Sequence, residues 1–137
     1  MTRKDGRECG FKFIFEYEVQ REDKDELLSQ FFDLNPDIED QKEYIETLVD
    51  LVVSNIDQID MLIAENSTSR AHGRISKVSL AALRLGIAEM LYSDLDDNIA
   101  ISEAVRIAKK YEGEKSSSFV NGLLSTVYKK AGGKTNE

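Results

Sequence analysis

The chain is poor in the residues that build extracellular scaffolds, strands and metal centres. There is one cysteine, Cys9, in 137 residues, so no internal disulfide can form. There is one proline and no tryptophan, and a chain with so few ladder-breaking prolines and so much Leu, Ile, Glu, Asp and Lys favours helices. The single histidine, His72, stands in a polar stretch far in sequence from Cys9. No run of eighteen apolar residues is present to cross a bilayer, and the first residues carry no secretory apolar stretch. HExxH, CxxC, GxGxxG and the phosphate-binding loop are all missing. The expectation is a non-catalytic, cytoplasmic protein without metal or cofactor.

What is present is a globular composition, 41% hydrophobic against 32% charged, enough apolar surface to offset the entropy of ordering one domain. The fold expected is all-α, a single compact domain of six to seven helices. Its N-terminal half covers about 1–66, its C-terminal half about 74–130, and residues 131–137 form a disordered tail. The net charge of −8 is unevenly spread. Residues 1–12 are net +2, with Arg3, Lys4, Arg7 and Lys12 against Asp5 and Glu8, whereas residues 13–70 are net −12. Such a basic start can meet phosphates while the acidic half faces water or a basic protein; an ordinary solvated surface is the other reading.

Periodicity predicts a first helix over Arg3–Gln20. Phe11, Ile14 and Phe15 share its apolar arc, with Tyr17 at the edge, and Glu8, Lys12, Glu16 and Gln20 lie opposite. The same wheel puts Arg3, Lys4 and Arg7 over the apolar arc. Because guanidinium groups do not enter a core unpaired, the first two turns are expected to project past the body. Gly6 and Gly10 permit close backbone approach but weaken the helix, so this end is expected to fray. Asp23 with Glu26 and Asp40 with Glu43 have capping-box spacing and mark two helix starts. The short helix after Asp23, holding Leu27, Leu28, Phe31 and Phe32, ends before Asn35-Pro36, and the helix from Asp40 is expected to run unbroken through Ile63 on one apolar face.

The polar stretch Glu65–Gly73 reads as the connection between halves. Ile75–Tyr92 is apolar almost all round, with Lys77 and Arg84 as its polar strip, and is expected to be the central helix. A helix lined by Ile101, Ala104, Val105 and Ala108 follows. Gly113–Ser118 reads as a link to a last helix, with Phe119, Val120, Leu123, Leu124 and Val127 on its buried stripe. Glu89 falls among apolar neighbours and needs buried donors, either backbone amides at the start of a neighbouring helix or a nearby arginine. Glu103 can reach Arg106 one turn on. Asn121-Gly122 is unusual inside a helix, and suits either close helix packing or a ligand contact. Phe119, if partly exposed, can stack on an unpaired base, although an aromatic at helical spacing commonly belongs to a core.

Four segments occur in order: R3-K4-x-x-R7-E8, L83-R84-L85-G86-I87-A88-E89-M90-L91, A100-I101-S102-E103-A104-V105-R106-I107-A108-K109, and F119-V120-N121-G122-L123-L124. Together they resemble the NusB family of transcription antitermination factors. The resemblance implies an all-helical fold of two small bundles. It also implies binding of boxA-type single-stranded RNA of nascent ribosomal RNA, together with the ribosomal protein NusE, so that RNA polymerase in its antitermination complex reads through terminators. By the same resemblance Arg3, Lys4, Arg7, Lys12 and Phe119 are the RNA-binding residues, and Phe15 and Ser79 face NusE. The apolar patch of the first helix suits either NusE or a homodimer. A helical scaffold that keeps NusE-type binding with weak RNA binding is the alternative. Asp5 within the basic cluster, Gly6 and Gly10 in place of alanines, Arg70 in place of a tryptophan and Ser102 in place of an asparagine depart from the family pattern.

Overall fold

The computed structural model describes residues 1–20, 23–67 and 75–131. Arg70, His72, Gly73 and the tail beyond Ala131 lie outside these, so the expectations placed on them are not addressed. The elements are α1 (Arg3–Gln20), α2 (Lys24–Leu34), a 3-10 stretch (Pro36–Gln41), α3 (Lys42–Ser54), α4 (Ile56–Asn66), α5 (Lys77–Tyr92), α6 (Asp97–Glu112) and α7 (Glu114–Ala131). Among the described residues there is no strand, as the composition implies.

Local chemistry accounts for most boundaries. Asp23 caps α2 by accepting from the Glu26 amide at 3.0 Å. Ser76 caps α5 through the Ser79 amide, also at 3.0 Å. Asp96 caps α6 through the amides of Asn98 and Ile99; each cap satisfies donors that the first turn leaves open. At the start of α1, Thr2 and Asp5 exchange amide-to-side-chain bonds of 3.0 and 3.1 Å. The acid that interrupts the basic cluster therefore caps the helix that carries it.

Three boundaries differ from expectation. The Asp40–Glu43 pair starts no helix: Asp40 lies in the 3-10 stretch that leads into α3, and its carboxylate accepts from the Met1 amine at 3.0 Å. The expected long helix is divided at Asn55, whose side-chain amide donates to the Leu51 carbonyl at 2.8 Å while its own N–H turns back to Val52. These bonds close off α3, although the apolar pattern continues through the break. The Gly113–Ser118 link reduces to Gly113 alone. At φ 101 this glycine closes α6 with bonds to the carbonyls of Ala108 and Lys109, and α7 starts at the next residue.

The apolar side chains form two cores. In the larger, the fully buried Leu83, Leu85, Ile87 and Met90 of α5 are surrounded by Phe11 and Ile14, Leu48 and Val52, Ile59 and Ile63, Ala104 and Ile107, and Val120, Leu124 and Val127. The smaller holds Phe13, Leu28, Phe31, Ile38, Ile45 and Val49. Helices α1 and α3 are the shared wall, since each sends side chains into both. Burial of each large aliphatic side chain contributes about 1.5–3 kcal/mol, so α5 is the axis of the molecule. α1 lies against it, and the chemistry of α1 is set by what α5 and α6 present.

Candidate nucleic-acid and partner interface

Along α1 the charged side chains divide into those that leave the body and those drawn into it. Arg7 is drawn in. It is only 4% exposed, and its Nε donates to Glu89 Oε1 at 2.7 Å, its Nη2 to Glu89 Oε2 at 3.3 Å and its Nη1 to Glu103 Oε1 at 3.0 Å. The expectation that the first two turns overhang the body is therefore corrected. A guanidinium does enter the interior when two carboxylates meet it there. Burial opposes the charge on Arg7, but the hydrogen bond and field of Glu89, with Tyr44 and Glu103, outweigh it and raise its pKa. As a consequence Arg7 belongs to no exposed basic surface.

The next residue extends the cluster. Glu8, expected to face solvent, accepts from Arg106 at 2.8 Å, Lys110 at 2.8 Å and the Tyr111 hydroxyl at 3.0 Å. Arg106 also donates to both oxygens of Glu103, at 3.1 and 3.2 Å, as its i+3 spacing predicts. Burial raises the Glu8 pKa, yet the bonds from Lys110, Arg106 and Tyr111 prevail and hold it at about 2. A second, separate guanidinium site lies further along. Arg84 of α5 is buried, with both oxygens of Asp60 at 2.9 and 2.8 Å and Glu18 at 2.7 Å. It is therefore no part of a polar strip on α5.

The start of α1 is held in place. Gly6 faces the end of the 3-10 stretch, where an added Cβ would meet Gln41 at 3.0 Å, and Gly10 faces α3, where it would meet Leu48 at 2.7 Å. The two glycines thus let α1 sit close against the 3-10 stretch and α3, and the Thr2–Asp5 cap and the Arg7 bonds tie its first turns to the body.

Three exposed cations of α1 remain. The Arg3 guanidinium lies 4.0 Å from the centroid of the Tyr44 ring. Lys4 is 3.7 Å from Glu103 with its side chain two-thirds exposed. Lys12 reaches toward the Tyr111 ring at 5.9 Å. The remaining site residues lie in surface grooves, and these divide the set. Arg3 and Arg7 line one of about 450 Å³ with Tyr44, Leu51, Glu89 and Ser93. Lys12 and the half-buried Phe15 line another of about 510 Å³ with Tyr17, Leu34, Val78 and Tyr111. Ser79 and the half-buried Phe119 line a third of about 410 Å³ with Ser76, Glu112, Lys115 and Ser116. None of the residues lining this third groove comes from α1. Val78 and Ser79 are consecutive, as are Tyr111 and Glu112, so the second and third grooves flank the same opening turn of α5.

Ser79 does not present itself for docking. It is 4% exposed, and its hydroxyl is shared with Ser116 at 2.6 Å and Glu112 at 3.3 Å. It ties α5 to α6 and α7 from inside. Leu34, by contrast, is 81% exposed beside the second groove. Asn121 and Gly122 are also exposed, and nothing lies within 4 Å of a Cβ built on Gly122; close helix packing does not explain this glycine.

Sequence reasoning did not find Tyr44, Tyr111, Glu18 or Asp60 as partners of charged groups. Tyr44 lies on the apolar face of α3, a position that by itself gives no sign of a charged neighbour. Among the described residues no His, Cys, Asp and Glu side chains converge as a metal ion would require, and no helix is long and apolar enough to cross a membrane. Cys9 is a free thiol in the second groove, and burial pushes its pKa up.

Comparison with known proteins gives a consistent result. The model of the NusB family matches residues 4–129. A transcription antitermination protein NusB of Acetivibrio thermocellus is 41% identical, over 94% of this chain and 90% of its own length. The structure of T. maritima NusB superposes with a TM-score of 0.83 at 33% identity, over 94% of this chain and 92% of that one. A chain in a crystal structure of the antitermination factors NusB and NusE in complex with double-stranded RNA superposes with a TM-score of 0.82 at 32% identity, over 93% and 96% of the two chains.

Proposed function

This chain belongs to the NusB family, and from that premise we propose that it is a transcription antitermination factor that binds RNA together with a NusE protein and performs no catalytic step. The observation that supports this reading most is the near-complete superposition on a chain solved with NusE and RNA. The finer reading is that the RNA is a boxA-type single strand of a nascent ribosomal transcript. The complex then acts on RNA polymerase in the cytoplasm to promote read-through.

In this reading Arg3, Lys4 and Lys12 meet phosphates, and Phe119 offers a ring face to a base. Arg7 acts from beneath, by holding the start of α1 on the body. Phe15 and the groove around it take the NusE side, and Ser79 supports the neighbouring groove from within. Self-association would compete for the Phe15 groove, because Leu34 and Phe15 present the same apolar surface to either partner.

The three exposed cations of α1 set the salt dependence expected if RNA meets the chain alone through this face. Each phosphate neutralised on a single strand contributes a slope of about 0.7 in log affinity against log salt, so the chain by itself should show a slope of about 2. The test is a salt titration with labelled boxA-type single-stranded RNA, a scrambled strand and a duplex, with and without NusE. The reading expects tight binding and preference for boxA-type RNA only when NusE is present. Equal affinity for boxA-type and scrambled strands in the presence of NusE would overturn it.

The burial of Arg7 favours one second reading: a scaffold that keeps NusE and has little RNA affinity. That reading expects the NusE complex to form normally while the salt slope for RNA approaches zero.

A further inference from the structure

The inference rests on the reading of Arg3 as an RNA contact, and it adds a residue to that contact. An exposed arginine has many rotamers, and ordering one against a phosphate carries an entropic penalty that pre-organisation removes. Arg3 is exposed, and no carboxylate among the described residues pairs with it. Its guanidinium lies over the Tyr44 ring at 4.0 Å, well within the range of a cation–π contact.

The ring is itself fixed. Tyr44 is half-buried and packs against both cores, and its hydroxyl donates to Glu89 Oε2 at 2.8 Å. Glu89 is the carboxylate that receives Arg7. A buried acid thus holds a phenol, and the phenol holds an exposed cation. The same ring lies 5.6 Å from the Arg7 guanidinium, so it neighbours both the interior cation and the surface one.

We propose that Tyr44 is a positioning residue for RNA binding, its ring holding the Arg3 guanidinium ready for a backbone phosphate. The ring face is what the role requires. The hydroxyl only steadies it.

A double-mutant cycle on affinity for labelled boxA-type RNA, in the presence of NusE, tests this with Arg3→Ala, Tyr44→Leu, Tyr44→Phe and the Arg3→Ala/Tyr44→Leu pair. Tyr44→Phe should bind within about two-fold of the parent, since it keeps the ring. Tyr44→Leu should weaken binding about two- to five-fold, the range of an exposed cation–π contact, and should cost nothing further in the Arg3→Ala background. An equal loss from Tyr44→Leu in both backgrounds would overturn the positioning role, as would a Tyr44→Phe as damaging as Tyr44→Leu. If Arg3→Ala leaves affinity unchanged, the reading of Arg3 as an RNA contact fails first and takes this inference with it. If Arg3→Ala weakens binding and the cycle is additive, only the inference fails. A further measurement needs no stable leucine variant: the Arg3 side-chain protons should show a ring-current shift in the parent and in Tyr44→Phe, without RNA. Its absence would also overturn the proposal.

Discussion

Arg7 donates to Glu89 at 2.7 Å across 82 residues of sequence, with both side chains 5% exposed. Removing Arg7 takes the guanidinium away from both Glu89 and Glu103 in the interior, and removing Glu89 leaves Arg7 with Glu103 alone, whereas removing Arg7 and Glu89 together takes both charges out of their contact. Arg7→Met should therefore destabilise the fold by about 3–5 kcal/mol, and the Arg7→Met/Glu89→Met pair by clearly less than the sum of the two single changes. Equilibrium denaturant unfolding measures both. A single change that leaves the midpoint where it was would show that the pair holds nothing together.

The exposed cations should behave in the opposite manner. Arg3→Ala, Lys4→Ala and Lys12→Ala should each stay within about 1 kcal/mol of parental stability, while each lowers the salt slope of RNA binding by about 0.7. A slope unchanged in all three variants would take RNA away from this face of α1.

Acid should release the α1–α6 clamp. Glu8 is held at about 2, from an ordinary 4.5. A carboxylate with a depressed pKa in the folded state stabilises fully above its unfolded value and loses that contribution as pH falls through the folded one. Stability should therefore decline between about pH 4.5 and pH 2, by on the order of 1–2 kcal/mol from this group once solvent screening of the partly open cluster is counted. Unfolding midpoints measured across that window should show a shallower decline in Glu8→Gln. An identical decline in parent and variant would remove Glu8 as the cause.

Two helical glycines should respond with opposite signs. At Gly86 an added Cβ would meet Leu124 at 2.8 Å and the Ala104 Cβ at 3.0 Å, whereas at Gly122 it would meet nothing within 4 Å. Gly86→Ala should destabilise by about 1–3 kcal/mol through overpacking. Gly122→Ala should stabilise by about 0.5–1 kcal/mol through helix propensity alone. Thermal unfolding of the two variants side by side decides it, and a shared sign would contradict the packing described here.

What could be read from the sequence was what lies within one or two turns. Asp23 starts a helix as its spacing to Glu26 indicates, because a cap reaches only a few residues. The one-sided pattern of α7 and the all-round pattern of α5 were legible because burial repeats with the helical period. The break at Asn55 was not, since a side-chain bond to Leu51 interrupts the backbone while the apolar residues keep their rhythm on either side. The fate of α1 was hidden for a different reason. The wheel correctly placed Arg7 over an apolar arc, and correctly placed Glu89 among apolar neighbours. Each anomaly was the answer to the other, but no local spacing joins positions so far apart. Ser79 was misplaced because its exposure is decided by Ser116 and Glu112, which only the docking of α6 and α7 brings to it.

The two guanidinium sites run in opposite directions along the chain. Arg7 comes from the first helix and finds its acids on α5 and α6; Arg84 comes from α5 and finds Glu18 and Asp60 on α1 and α4. The exchange works like a pair of crossed straps. A fragment ending before α5, or a chimera that takes its front from one relative and its back from another, would strand an arginine on one side and orphan carboxylates on the other. Recombinants of this chain should therefore survive only when both straps are inherited whole.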